Sequence, residues 1–334
     1  MKKTILDIAN ASDPAEFLRN NENLTINSAG QLVPVGSSTL REDEHKVLDA
    51  ALLEVATYER RLTKDLMDKN LVRPIGSIGD IISGYERVGE FTGAQVSMDG
   101  RTRSDKDRLT FDQVGVPIPI FHKEWEFGLR QLASSTGPNG LGGSSNIDTT
   151  STSIATRIVM ERIEDHCVNG IPGLDVGGAK LYGYATHPDR NTYQLQADWS
   201  SDEGEGIIND ALAVVQLMYD ELYRGPYYVY VGSDYVAHLQ ADYSREKGGN
   251  TIMQRLEAIQ QIEAVKVADF LEPDEIIFVQ MTSDVVDLAV AVDLQNIELA
   301  KHFMSVDFMT YAMLAIRVKS EKNQRCGVCH CSPA

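Results

Sequence analysis

The sequence predicts an α+β protein organised around one long helix, and three observations predict it. Residues 148–169 carry a helical apolar stripe between N-cap oxygens and a glycine stop. Residues 77–124 carry apolar runs on either side of a charged turn, the pattern of a long hairpin. Beyond Asp198, helical and strand periods alternate.

Bulk composition narrows the function classes. A chain of 334 residues with 43% hydrophobic and 24% charged residues has enough apolar material for one large core or two ordinary ones. Its 31 basic and 49 acidic residues leave a net charge of -18, which argues against a broad phosphate-binding face and a direct DNA reader. No stretch is apolar enough to predict a membrane span, and Asp7 interrupts the start before a signal-peptide core forms, so a cytoplasmic site of synthesis is expected. Cys167 sits in the long helix, and the other three cysteines crowd the last nine residues, so no disulfide framework is expected.

In chain order, residues 1–42 read as a polar arm, with a short helix over Pro14–Arg19 capped at Asp13. Asp43–Asp68 reads as one amphipathic helix with Val47 or Leu48, Ala51, Val55, Tyr58, Leu62 and Leu66 on one side. In the hairpin, strands are expected over Phe91–Met98 and Leu109–Phe121, joined at Asp99-Gly100 and the tip RTRSDKDR. Leu109 and Phe111 set one alternation and Val114, Val116, Ile118 and Ile120 the other, which predicts a bulge near Asp112–Gln113. Pro117 and Pro119, two apart, leave one edge unable to donate to a ladder. Such a hairpin suits an arm that reaches over a neighbour, which makes Asp99, Gly100, Arg101, Arg103, Lys106, Arg108, Pro117 and Pro119 the candidate interface residues.

Residues 134–147 read as a flexible linker into the long helix. That helix carries Ile154, Ile158, Ile163 and Cys167, with Ala155 and Val159 beside them, on its apolar stripe, and Arg157, Glu161, Arg162, Glu164 and Asp165 on a solvated or subunit-facing side. It leads through Asn169-Gly170 into the tight aromatic turn Leu181–Pro188. Thereafter a helix over Glu205–Tyr223, a strand over Tyr227–Val231, short helices capped by Ser233 and Asn250, strands at Ala264–Ala268, Glu275–Met281 and Val285–Val292, and paired strands over Phe303–Val318 are expected.

Motifs for chemistry are few. Gly173–Lys180 lacks the lysine placement and the following Ser or Thr of a phosphate loop, and a glycine turn accounts for it. His122, His166, His187, His238 and His302 are scattered, and the acidic pairs lie in polar or turn-like contexts. The exception is Cys326-Gly-Val-Cys329-His330-Cys331. CxxCH is the attachment pattern of c-type haem, and Cys326, Cys329, His330 and Cys331 are also soft zinc donors. Adjacent Cys329, His330 and Cys331 do not easily face one tetrahedral ion, so a zinc site or disulfide between subunits is sterically easier, and a free surface end is the remaining reading.

Taken in order, the arm, the amphipathic helix, the hairpin AQVSMDGRTRSDKDRLTFDQVGVPIPI, the long helix, the turn LYGYATHP, the α/β segment and the final strands resemble the major capsid proteins of tailed bacteriophages with the Hong Kong 97-type fold, a group that includes the encapsulin shells. The resemblance covers roughly residues 43–325. It implies an N-terminal arm (1–42), a peripheral-domain helix (43–76), an extended loop (77–124), a linker and spine helix of the peripheral domain (125–184), an axial domain (185–295), returning peripheral strands (296–325) and, outside the shared pattern, a cysteine-rich tail (326–334). It implies self-assembly through hexamers and pentamers into an icosahedral head around double-stranded DNA held without sequence-specific contacts. Assembly in the host cytoplasm, a virion capsid location, a portal, a separate scaffolding protein, a decoration or cement protein and no membrane partner belong to the same expectation. Neither catalytic residues nor a cofactor are expected, apart from the zinc alternative at the tail. An encapsulin compartment is the second reading, and a redox or metal enzyme using the tail is the third.

Overall fold

A computed structural model describes residues 24–26, 32–34, 42–59, 61–76, 78–89, 106–128, 147–196, 198–200, 204–243, 249–301 and 304–333, with 91, 93, 94, 96 and 98 between them. The short helix at Pro14–Arg19 and the linker at 134–146 lie outside the described residues. In chain order the elements begin with β1 (Leu24–Ile26), β2 (Leu32–Pro34), α1 (Glu42–Glu59), α2 (Leu62–Asp68), β3 (Val72–Pro74) and β4 (Ile82–Val88). Next come β5 (Phe111–Pro117), β6 (Ile120–Gly128), α3 (Ile147–Asn169), β7 (Ile171–Val176), β8 (Ala179–Leu181) and β9 (Asn191–Gln194). The chain continues through α4 (Gly204–Asp220), β10 (Tyr227–Val231), α5 (Val236–Leu239), α6 (Ile252–Glu257), β11 (Ile262–Val267), β12 (Ile276–Gln280), β13 (Val286–Lys301), β14 (Ser305–Val318) and β15 (Val328–Ser332). Two compact units result. One draws on Met1–Ser83, Pro117–Cys167 and Leu288–Ala315, the other on Gly84–Val116, Val168–Asp287 and Ile316–Ala334.

In the first unit the predicted helix over Asp43–Asp68 is two helices. Arg61, with φ -121 and ψ -73, is outside helical geometry. The side chain that receives the restarted helix is Glu164 of α3. Its carboxylate accepts from the backbone N–H groups of Leu62 (2.8 Å), Arg61 and Thr63 (both 3.3 Å) and from the Thr63 hydroxyl (2.6 Å). Glu164 is thus a buried cap for donors that a helix start leaves unpaired, and not part of a solvated face. Burial is the largest influence on it and outweighs those hydrogen bonds, which favour the charged form, so its pKa is raised.

On α3 the buried stripe runs through Thr152, Ala155, Thr156, Val159, Met160, Ile163 and Cys167, whereas Ile154 and Ile158 are 49% and 40% exposed. Each of those isoleucines sits one residue, about 100°, away from a buried neighbour, so the stripe is rotated from the one the isoleucines suggest. On α1 the expected Leu48 is buried together with Leu52 and Ala56, while the expected Ala51 and Val55 are half-buried beside them. A four-stranded sheet in the order β3-β13-β14-β6 completes this architecture. Leu48, Val306 and Phe308 form a buried cluster against it, with Trp125 stacked on Phe308 at 4.6 Å. Strand β14 is buried on both faces over most of its length, which is why its sequence is continuously apolar.

The second unit holds a five-stranded sheet in the order β11-β10-β12-β15-β9. Strand β10 pairs parallel to β11 and antiparallel to β12, and β15 lies between β12 and β9. The predicted Tyr227–Val231 strand is present with those bounds, buried at every position. Two cap assignments change. Thr251, not Asn250, caps α6 in a capping box with Gln254, and Gly232, not Ser233, precedes the short 3-10 turn Ser233–Tyr235. The Gly173–Lys180 stretch is the β7–β8 hairpin, with Gly177 and Gly178 at positive φ and the Gly178 N–H donating to Asp175 Oδ1 at 2.9 Å. The third strand expected at Val285–Val292 extends to Lys301, so the returning strands begin near Val286 and not at 296.

The largest correction concerns residues 326–334. They are not a tail. Val328–Ser332 is an interior strand of the five-stranded sheet, with Cys331 opposite Ile276 and Cys329 opposite Phe278. Cys326, Cys329 and Cys331 are free thiols, each fully buried. Cysteine is a small apolar side chain that seeks the interior, and the sheet uses it as one.

Candidate functional site

The hairpin separates into a paired root and an exposed reach. Strands β4 and β5 form the root as a two-stranded sheet. The expected strand at Phe91–Met98 is absent at the described positions, where the chain has no strand geometry and Phe91, Val96 and Met98 are exposed. Leu109 and Phe111 are exposed on the return side, with Lys106 and Arg108 exposed beside them. Asp99, Gly100, Arg101 and Arg103 lie outside the described residues. The interruption of the return strand falls at Ile118–Pro119 instead of Asp112–Gln113, and the Ile118 N–H donates to Ile81 O at 2.8 Å. Pro117, buried, ends β5, and Pro119, half-buried, precedes β6.

Three side-chain ties hold the root, and sequence reasoning found none of them. Arg317, fully buried, donates from Nε to Asp287 Oδ1 at 2.6 Å, pairs a second time through Nη2, and donates from Nη1 to the Gly84 carbonyl in β4 at 3.2 Å. Lys319 Nζ shares Asp287 at 2.7 Å. Arg87 pairs with Asp189 at 3.1 Å, and the Ser320 hydroxyl donates to the same carboxylate at 2.6 Å. Lys322 Nζ donates to Thr110 Oγ1 at 2.9 Å, and the Gly89 N–H to Thr110 O at 3.1 Å. A bidentate arginine–carboxylate pair carries orientation as well as charge, so the Arg317–Asp287 pair fixes where Gly84 sits. A continuous apolar run followed by Arg317 and Lys319 was the available signal, since a strand buried on both faces tolerates a charge only when it is paired.

The turn after α3 owes its sequence to close backbone approach. Gly170 has φ +67, and a Cβ there would lie 2.6 Å from Leu181 O. A Cβ on Gly183 would lie 2.3 Å from Val168 O. The Ala185 N–H donates to Val168 O, the Thr186 hydroxyl to Asn169 O, and the Gly183 N–H to Thr186 Oγ1. Burial lowers the pKa of His187 in this turn to about 4, with Arg87 and Arg190 adding to the effect against Asp189.

The cysteine strand brings together thiols that burial keeps protonated. Among the described residues no three His, Cys, Asp or Glu side chains are placed to hold an ion. Burial pushes the Cys326 thiol up to about 12 and raises that of Cys331, which also shares a hydrogen bond with Cys329. A thiol held protonated is a poor ligand and a poor nucleophile. His330 lies instead beside Glu275, 3.1 Å from its carboxylate. A site between subunits needs donors at a surface, and these three sulfurs have none of their area there.

Comparison with known proteins follows from this geometry. A family model described as a family of unknown function, DUF6260, matches residues 36–331, and so runs through the cysteine strand. No curated protein matches the sequence. Among solved structures, the virus-like particle from Pyrococcus furiosus is similar over 87% of this chain and 100% of its own, with a TM-score of 0.64 and 19% identity. The capsid of Myoviridae phage XM1 is similar over 81% of this chain and 92% of its own, with a TM-score of 0.64 and 9% identity. The capsid of an empty GTA particle is similar over 82% and 91%, with a TM-score of 0.55 and 15% identity. The fold is the Hong Kong 97-type capsid fold.

Proposed function

The chain belongs to DUF6260, a family of unknown function, and on that premise we propose that it is the major capsid protein of a tailed phage. In this reading copies of the chain assemble through hexamers and pentamers into an icosahedral head that encloses double-stranded DNA, assembled in the host cytoplasm with a portal and a separate scaffolding protein. Its role is structural and not catalytic. The observation that carries the reading is the hairpin. A fold shared with shell proteins holds out a reach whose apolar side chains Phe91, Val96, Met98, Leu109 and Phe111 are exposed. Apolar surface of that kind is covered by association, and a second copy supplies the cover wherever the same contact repeats around a closed shell. Lys106 and Arg108 join it as charges that meet the acidic surface of a subunit carrying -18. Asp99, Gly100, Arg101 and Arg103 complete the proposed interface at the tip.

The similarity to the Pyrococcus furiosus particle, complete over that chain, supports a second reading in which the shell encloses protein. One experiment separates the two. The full chain is purified from a bacterial host and imaged by cryo-electron microscopy, and nuclease-resistant nucleic acid and co-purifying protein are measured. The capsid reading expects closed shells, empty when the chain is expressed alone and filled with DNA when isolated from virions. Shells that retain a stoichiometric second protein favour the compartment. Small oligomers under all assembly conditions refute both.

A further inference from the structure

We propose that Arg87, Arg317 and Lys322 are positioning residues that set the direction of the hairpin's reach, and with it the shell that forms. The second half of the proposal rests on the shell reading. The ties are spaced along the root. Arg317 fixes the Gly84 carbonyl, Arg87 is held by Asp189, and Lys322 holds Thr110 opposite Gly89. Every partner belongs to the second unit, so the root moves with that unit's strands.

Gly89 and Thr110 form the outermost of these three ties. A Cβ on Gly89 would lie 2.8 Å from Thr110 Oγ1, which places the two chains in close approach at that level. Past this level the described positions 91, 93, 94, 96, 98 and 106–110 belong to no strand, and all are exposed. The pair Gly89/Thr110 is therefore the outermost point at which these three ties hold the two sides of the hairpin together. A shell closes only when the same contact recurs at a fixed angle, so the stiffness of the root governs which closed size forms.

The test uses the full chain in two arms. In the first, spin labels at Val96→Cys and Leu212→Cys, both exposed sites, report the distance distribution between reach and second unit in unassembled subunits. Arg87→Met and Lys322→Met, singly and together, should broaden that distribution about twofold while leaving circular dichroism and melting close to the parent. Arg317→Met should broaden it further, and its own melting curve shows whether the subunit stays folded. In the second arm the same variants are assembled and their particle diameters counted by electron microscopy. The parent should give one dominant size, and the double variant a spread of sizes or a yield at least several-fold lower. A distance distribution unchanged in the double variant overturns the clamp. Broadened distances with shells of unaltered size and yield overturn the link from clamp to shell. A parent that forms no particles refutes the shell reading itself, while the distance arm still decides the clamp.

Discussion

The hairpin reach and the cysteine strand are the two regions whose sequences point outward from the subunit, and the structure treats them in opposite ways. The reach carries Phe91, Val96 and Met98 at 57%, 97% and 105% exposure, whereas Cys326, Cys329 and Cys331 are buried to the last atom. The residues that look built for chemistry are core, and the residues that look built for a core are surface. Residue type alone does not separate contacts within a subunit from contacts between subunits. The pairing partner does, because β15 has a ladder on each side and the reach has none at its described positions.

The comparison can be broken most forcefully from the hairpin side. Replacing residues 92–107 with a short turn should abolish closed shells and leave a soluble subunit melting within about 5 °C of the parent, since the described positions among them are exposed. Normal shells from that chain would place the assembly contacts elsewhere. The cysteine side should respond the other way. Replacing Cys326, Cys329 and Cys331 together with serine puts hydroxyls where thiols are buried, at a cost of about 1–3 kcal/mol each where no partner is found. Urea unfolding should show that loss, zinc content should be at background in both proteins, and an unchanged midpoint would mean that the strand is dispensable to the subunit. Gly327→Ala should act similarly on the same strand, because its Cβ would meet Val285 at 2.6 Å, and overpacking costs about 1–3 kcal/mol.

A smaller effect concerns acid. His166, stacked on Phe121 at 5.5 Å, has its pKa lowered to about 3, first by burial and then by Arg162. A histidine depressed in the folded state takes up its proton on unfolding. The stability it contributes is complete above the ordinary value of about 6.5 and falls away between there and about 3, with a limiting slope of about 1.4 kcal/mol per pH unit. His166→Phe should flatten the loss of stability measured by urea titration across that window, and an equal slope in both proteins would contradict the assignment. The smallest effect is screening. With -18 per subunit, moderate salt or divalent cations should raise assembly yield by reducing repulsion between copies. A yield independent of ionic strength would mean that Lys106, Arg108 and their neighbours already cancel the charge locally.

Local chemistry made much of this fold legible. Asn169-Gly170 announces the end of α3 because only a left-handed residue closes that helix, and Gly170 takes φ +67. The apolar run at Tyr227–Val231 announces a strand buried on both faces. What could not be read depends on partners far away in sequence. Glu164 looks solvated beside Arg162 and Asp165 until α2 presents three N–H groups to it across about a hundred positions. Arg317 finds Asp287 thirty residues earlier and Gly84 in the hairpin root, and no spacing rule joins those three. The exposure of the reach at its described positions was legible from its charges and turn, and its strands were overextended because exposed alternation resembles a ladder with or without a neighbour.

The most direct measurement is a side-chain-resolution cryo-electron microscopy reconstruction of assembled particles. The account predicts closed shells in which Phe91, Val96, Met98 and Phe111 are buried against a second copy, while Cys326, Cys329 and Cys331 stay inside their own subunit's sheet with no metal between them. Shells in which the reach remains uncovered and the cysteine strand is exchanged between copies would contradict it.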